Sequence, residues 1–146
     1  MNLLKIVLAV GLAVVSVAVK AEEIVVYRSP TCGCCEKWLA HLQTDGFTIK
    51  DNVTNDVNAI KTKHGVTPKL ASCHTATING YVVEGHVPVD DIKKMLKTKP
   101  EIVGIAVPGM PVGTPGMEMG GKKEQYDVVS FDSKGNTQLF NSYKGN

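Results

Sequence analysis

The sequence predicts an α/β domain built on a mixed sheet. β-Branched and aromatic runs alternate with stretches of helical spacing, an Asn-Gly pair links two apolar runs, and a cysteine cluster sits where the first strand gives way to the first helix. Ile24-Val25-Val26-Tyr27 reads as the first strand, ended by Arg28-Ser29-Pro30. In residues 34–45, Cys35, Trp38, Leu39 and Leu42 share one helical face while Glu36, Lys37, His41 and Gln43 take the other, and Gly46 ends the helix. Residues 47–53 give a second strand. Asn55 or Asp56 is placed to cap a second helix carrying Val57 and Ile60, which stops before Gly65 and Pro68. Residues 73–78 and 81–83 form a hairpin around Asn79-Gly80, which supplies the positive φ angles of a type I′ turn. Pro88, Asp90 and Asp91 open a third helix, with Ile92, Met95 and Leu96 inward. Lys93, Lys94, Lys97 and Lys99 lie toward its C-terminal end, the charge order that a helix dipole favours.

This order, β-α-β-α-β-β-α with cysteines at the first strand-to-helix junction, is that of a thioredoxin-like domain. Residues 104–121 then hold six of the 14 Gly and three of the seven Pro, including Pro-Gly-Met twice, at Pro108 to Met110 and at Pro115 to Met117. Such a composition predicts an irregular loop. Residues 126–131 and 138–143 flank Asp132-Ser133-Lys134-Gly135-Asn136 and read as a terminal hairpin packed on the same sheet.

The chain has 146 residues, with 16 Lys+Arg against 14 Asp+Glu, a size that fits one domain with a short extension. Residues 1–21 begin with a single cation, Lys5, run apolar from Ile6 to Val19, and end in Val19-Lys20-Ala21. This is the pattern of a cleavable signal peptide, cut after Ala21. The apolar run falls short of the ~20 residues that span a bilayer, so any membrane contact is through the uncleaved peptide. The mature domain, residues 22–146, balances 14 basic against 14 acidic residues with no basic run, so nucleic acid is not an expected partner. Export places its thiols in an oxidising compartment, where they persist when paired, metal-bound or catalytic.

Cys32-Gly33-Cys34-Cys35 is joined by Cys73 some forty residues later. Pairs within the triplet close almost no loop, so they are poor structural staples, and Cys73 is free to pair with one of the three in a metal-free oxidised chain. Cys32 and Cys35 satisfy C-x-x-C at a helix mouth, where the helix dipole lowers thiol pKa, which keeps thiol–disulfide exchange open. Cys34 argues against that, since a third thiol would trap wrong mixed disulfides. Metal binding uses all four, and clustered thiolates suit Cu(I), Zn(II) or an iron–sulfur cluster. Neighbours Cys34 and Cys35 on a helix diverge by about 100°, which makes chelation of one ion awkward and bridging of several easier. Four thiolates with four Cu(I) are neutral whereas four around one Zn(II) are not, and buried net charge is costly, so multinuclear Cu(I) is favoured.

Residues 27–35 (YRSPTCGCC), Ser72-Cys73-His74-Thr75-Ala76, Glu84-Gly85-His86-Val87-Pro88, Val107-Pro108-Gly109-Met110-Pro111 and Pro115-Gly116-Met117-Glu118 resemble the CopG-type periplasmic copper-resistance proteins. The resemblance implies a thioredoxin-like fold and a copper cluster held by the four cysteines. It also implies a periplasmic location, expression alongside copper-efflux components, and a role in interconverting Cu(I) and Cu(II). A thiol–disulfide oxidoreductase with Cys32 as nucleophile and Cys35 as resolving thiol is one alternative. A non-catalytic copper store or chaperone is another.

Other candidate ligands are weaker. His74 follows Cys73, and in a strand the two side chains point to opposite faces, so joint ligation requires a strand end or bulge. His86 sits in the loop before Pro88 that approaches the cysteine end, with a loop hydrogen bond as the plain alternative. Met110, Met117 and Met119 offer thioethers for a second or entry copper site, against the alternative that loop methionines fill apolar gaps. His41 falls on the polar face of its helix and His64 near a helix C-terminus, where imidazolium is favoured. Met95 and Trp38 read as core.

Overall fold

A computed structural model describes residues 21–146, so the segment 1–21, expected from the sequence to be a signal peptide, lies outside the described residues except for Ala21. The elements run β1 (Glu23–Arg28), α1 (Gly33–Thr44), β2 (Thr48–Val53), α2 (Val57–Lys63), β3 (His74–Ile78), β4 (Tyr81–Glu84), α3 (Val89–Thr98), β5 (Gly104–Ala106), β6 (Tyr126–Phe131) and β7 (Thr137–Tyr143). They form one seven-stranded sheet in the order β2-β1-β3-β4-β5-β6-β7. β1 pairs parallel with β2 across α1, and β4 parallel with β5 across α3, while the other neighbours are antiparallel. The sheet is therefore mixed, as the sequence predicts. No helix among the described residues is long and apolar enough to cross a membrane.

Side-chain alternation along the strands sorts the core onto two faces. Ile24, Val26, Ala76, Ile78, Val83, Ile105 and Val128 meet Trp38, Leu39 and Leu42 of α1 and Val89, Ile92 and Met95 of α3. On the other face Val82, Ala106 and Phe131 meet Val66 and Leu70, which follow α2. Burying these apolar faces is what holds helices this short in place. Asn79 and Gly80 have φ of 47° and 82°, the paired positive values that the β3–β4 turn requires.

Two local expectations need correction. The Gly/Pro-rich stretch 104–121 is not wholly irregular, because its first three residues are β5, the strand that joins β4 to the terminal hairpin. Gly104 serves there because β4 passes so close that a Cβ would collide with the Val82 carbonyl. The second helix does start after Asp56, but no side-chain capping bond is made. What fixes α2 is inward burial of Val57 and Lys61, one turn apart.

Candidate metal centre

The cysteine triplet occupies the mouth of α1. A turn closed by Cys32 N–H donating to Ser29 O (3.2 Å) brings the chain off β1, and the helix starts at Gly33 with Cys32 at its N-cap. No side chain caps this end, so the first-turn N–H groups and the dipole are left to favour anionic sulfur. Cys35 is buried among the core residues, while Cys32, Cys34 and Cys73 are half-buried. Cys73 arrives from the loop before β3, with its Sγ 3.6 Å from Cys35 Sγ and 4.0 Å from Cys34 Sγ, and Cys34 Sγ is 3.5 Å from Cys32 Sγ. All four sulfurs lie within 4.8 Å of one another. The oxidised pair is Cys32–Cys35, whereas Cys34 and Cys73 are free. Disulfide pairing thus falls inside the triplet, and Cys73, open to pairing on sequence grounds, stays a thiol.

Both histidines of the Cys-His and Gly-His motifs reach Cys73. β3 begins at His74, so Cys73 lies just outside the strand and the opposite-face rule does not apply to it. His74 Nδ1 is 3.3 Å from Cys73 Sγ, and its ring packs 4.2 Å from that of Trp38. His74 Nε2 is buried with no hydrogen-bond partner among the described residues. His86 donates from Nδ1 to Pro115 O (2.6 Å), because a carbonyl can only accept, and this tautomer turns the Nε2 lone pair toward Cys73 Sγ at 3.0 Å. Cys73, His74 and His86 form a second group whose donor atoms lie within 4.8 Å.

Burial controls the protonation of this group. It pushes the Cys73 thiol up to about 12, with neighbouring Cys34 adding to the effect. It holds His74 well below its ordinary range, reinforced by His86, and lowers His86 against the opposing pull of Pro115 O. In the metal-free chain the histidines are neutral lone-pair donors and Cys73 keeps its proton, which a soft cation would displace.

Two structures hold the donors in place. On the α2 side of the sheet, the Lys61 ammonium is buried against Glu84 and donates to Thr75 Oγ1 (3.1 Å). Glu84 also accepts from Thr75 Oγ1 (2.6 Å) and from the N–H of Ser72 (2.8 Å), the residue before Cys73. Burial pushes the Glu84 carboxyl up, and Lys61 pulls it back. On the open side, the loop after β5 crosses the mouth of α1. Gly116 has φ of 90°, and a Cβ there would sit 2.8 Å from Trp38 N, 2.9 Å from Cys34 O and 3.0 Å from His86 Nδ1. Only glycine fits this approach. Glu118 ties the loop down, accepting from Gly116 N–H (2.9 Å) and pairing with His41 Nε2 (2.6 Å) on α1. Partial burial pushes Glu118 up, but these N–H donors and His41 outweigh it and hold the carboxyl below its ordinary value.

The remaining residues fall as follows. Met110 and Met119 stand exposed on this loop, 43% and 60%, and Met117 is half-buried beside Gly116. Trp38 is core and donates Nε1–H to Val87 O (2.9 Å). His64 departs from its expectation, because burial and the neighbouring Lys63 lower its pKa where the helix terminus was expected to favour imidazolium. The role of Lys61 was legible in one respect only: it lies four residues after Val57, on the inward face. Nothing local marks Glu84 as the partner of Lys61, or Glu118 as that of His41, since those contacts span 23 and 77 residues.

Four sulfurs and two imidazole nitrogens make a donor set for soft and borderline metal ions. Residues 70–117 match a family described as "Protein of unknown function, DUF411". Two solved structures resemble the chain closely. One, "Copper resistance protein copG- Form 2", is 44% identical with a TM-score of 0.81, covering 85% of this chain and 99% of that one. The other, "Copper resistance protein copG- Form 1", is 45% identical with a TM-score of 0.82, covering 86% and 100%. No curated protein matches.

Proposed function

The chain belongs to the CopG-type copper-resistance family, and from that premise we propose that it gathers Cu(I) in a multinuclear cluster bridged by Cys32, Cys34, Cys35 and Cys73. The observation that carries this reading is the convergence of Cys73 Sγ, 38 residues from Cys35, onto the helix-mouth triplet. Consecutive cysteines on a helix cannot both chelate one ion comfortably, but their thiolates can bridge several, and Cu(I) in equal number to the thiolates leaves no buried net charge. His74 and His86 add nitrogen donors at the Cys73 corner, and Met110, Met117 and Met119 supply thioethers along the covering loop for entering or leaving copper.

Copper shuttles between Cu(I) and Cu(II) at this site, in a mature domain of residues 22–146 released into the periplasm by cleavage after Ala21. Copper-efflux components are its partners. Anaerobic titration with Cu(I), followed by metal and thiol analysis, tests the reading. We expect more than one copper per chain, with a large loss in Cys73→Ser. A single copper, or indifference to the change at Cys73, contradicts it.

A second reading draws on the Cys32–Cys35 disulfide at a helix mouth. A thiol–disulfide oxidoreductase would reduce insulin as metal-free protein, survive Cys34→Ser, and be inhibited by copper.

A further inference from the structure

Each Cu(II) reduced to Cu(I) takes one electron, and the sulfur ring contains a two-electron donor. The oxidised pair in the structure is Cys32–Cys35, with Cα atoms 5.5 Å apart, within the span a disulfide bridges. Its formation does not dismantle the rest of the site. Cys34 and Cys73 remain free with their sulfurs 4.0 Å apart, and Cys73 keeps His86 Nε2 at 3.0 Å and His74 Nδ1 at 3.3 Å. The Cys73, His74 and His86 donor group, with Cys34 beside Cys73, therefore persists when the other two sulfurs are joined.

We propose that the Cys32/Cys35 dithiol is the electron store for Cu(II) arriving at this site, an inference that rests on the copper reading above. Two Cu(II) ions displace the two thiol protons to solvent. The thiolates then give up one electron each, an S–S bond forms between Cys32 and Cys35, and two Cu(I) ions are produced. Two negative charges vanish as two positive charges do, so the net charge of the half-buried site is unchanged and no new desolvation cost arises. The Cu(I) product stays with Cys34, Cys73, His74 and His86. Loss of two bridging thiolates leaves fewer sulfurs for any further Cu(I). Another turnover requires an external dithiol to reopen the bond by exchange.

The full mature chain, reduced and metal-free, is mixed anaerobically with two equivalents of cupric sulfate. Cu(I) is counted with a chromogenic Cu(I) chelator, and the disulfide is mapped by proteolysis and mass spectrometry. We expect two Cu(I) formed and two thiols lost per chain, with the bond at Cys32–Cys35. Protein already oxidised at that pair should form no Cu(I), and Cys32→Ser should lose the intramolecular bond. Unreduced Cu(II), a bond at another pair, or a bond between chains overturns the proposal. A parallel sample loaded directly with Cu(I) separates the two ideas. Multinuclear Cu(I) binding without dithiol oxidation sinks the electron store alone, whereas failure to bind Cu(I) sinks the copper reading beneath it.

Discussion

Two acid–base pairs flank the cysteines and differ mainly in burial. Lys61–Glu84, with side chains 8% and 0% exposed, lies on the α2 side of the sheet and holds Ser72, hence the approach to Cys73. His41–Glu118, 46% and 52% exposed, lies on the open side and holds the loop whose Pro115 carbonyl orients His86. Water screens the second pair and not the first, so the tie of the floor beneath the donors is the stronger and the Glu118 tie of the cover the weaker. The proposed copper site would use both, a fixed sulfur geometry and a loosely tied cover.

The largest effect should come from breaking the floor. Lys61→Met leaves Glu84 buried without its cation, and urea unfolding should show a loss of about 3–5 kcal/mol. Lys61→Met with Glu84→Gln should recover much of it, which would locate the cost in the unpaired charge. Next is Gly116→Ala, where a Cβ against Trp38 N and Cys34 O adds overpacking to a strained positive φ. We expect about 1–3 kcal/mol of destabilisation. The His86 ring resonances should shift in the NMR spectrum as Pro115 O moves.

Acidity should act on the donors themselves. His74 and His86 have folded pKa values below the ordinary 6.5, so below that pH the unfolded chain binds protons that the folded chain does not. Their contribution is fully present above the unfolded value and is lost as pH falls through the window beneath it. The urea midpoint of metal-free protein should therefore be lower at about pH 5.5 than at about pH 7.5. Glu118→Gln should have the smallest effect on stability, under about 1 kcal/mol, as for other exposed pairs. Its mark should be kinetic: faster transfer of Cu(I) to a competing chelator, with little change in copper stoichiometry. Unchanged transfer rates would remove the distinction between floor and cover.

Much of this was legible because local pattern and local physics agreed. The α1 face of Cys35, Trp38, Leu39 and Leu42, the Asn79-Gly80 turn, and the thioredoxin-like order all rest on spacing within a few residues. The candidate site was legible in its residue types: three thiols at a helix mouth and a fourth at the start of a predicted strand, which the structure begins one residue later. What escaped depends on distant partners. A lysine reads as a solvated cation until the carboxylate 23 residues away is seen beneath the sheet. Gly104 reads as loop because the reason for it, the crowding of Val82 on β4, is tertiary. His41 reads only as a residue of a polar helix face because its partner Glu118 is 77 residues away. The choice of Cys32–Cys35 as the oxidised pair could not be settled from spacing, which left exchange and metal binding both open.

Copper K-edge X-ray absorption on Cu(I)-loaded protein tests the cluster directly. The account predicts a sulfur-dominated coordination shell together with scattering from neighbouring copper. A spectrum of isolated copper without a metal neighbour would contradict it.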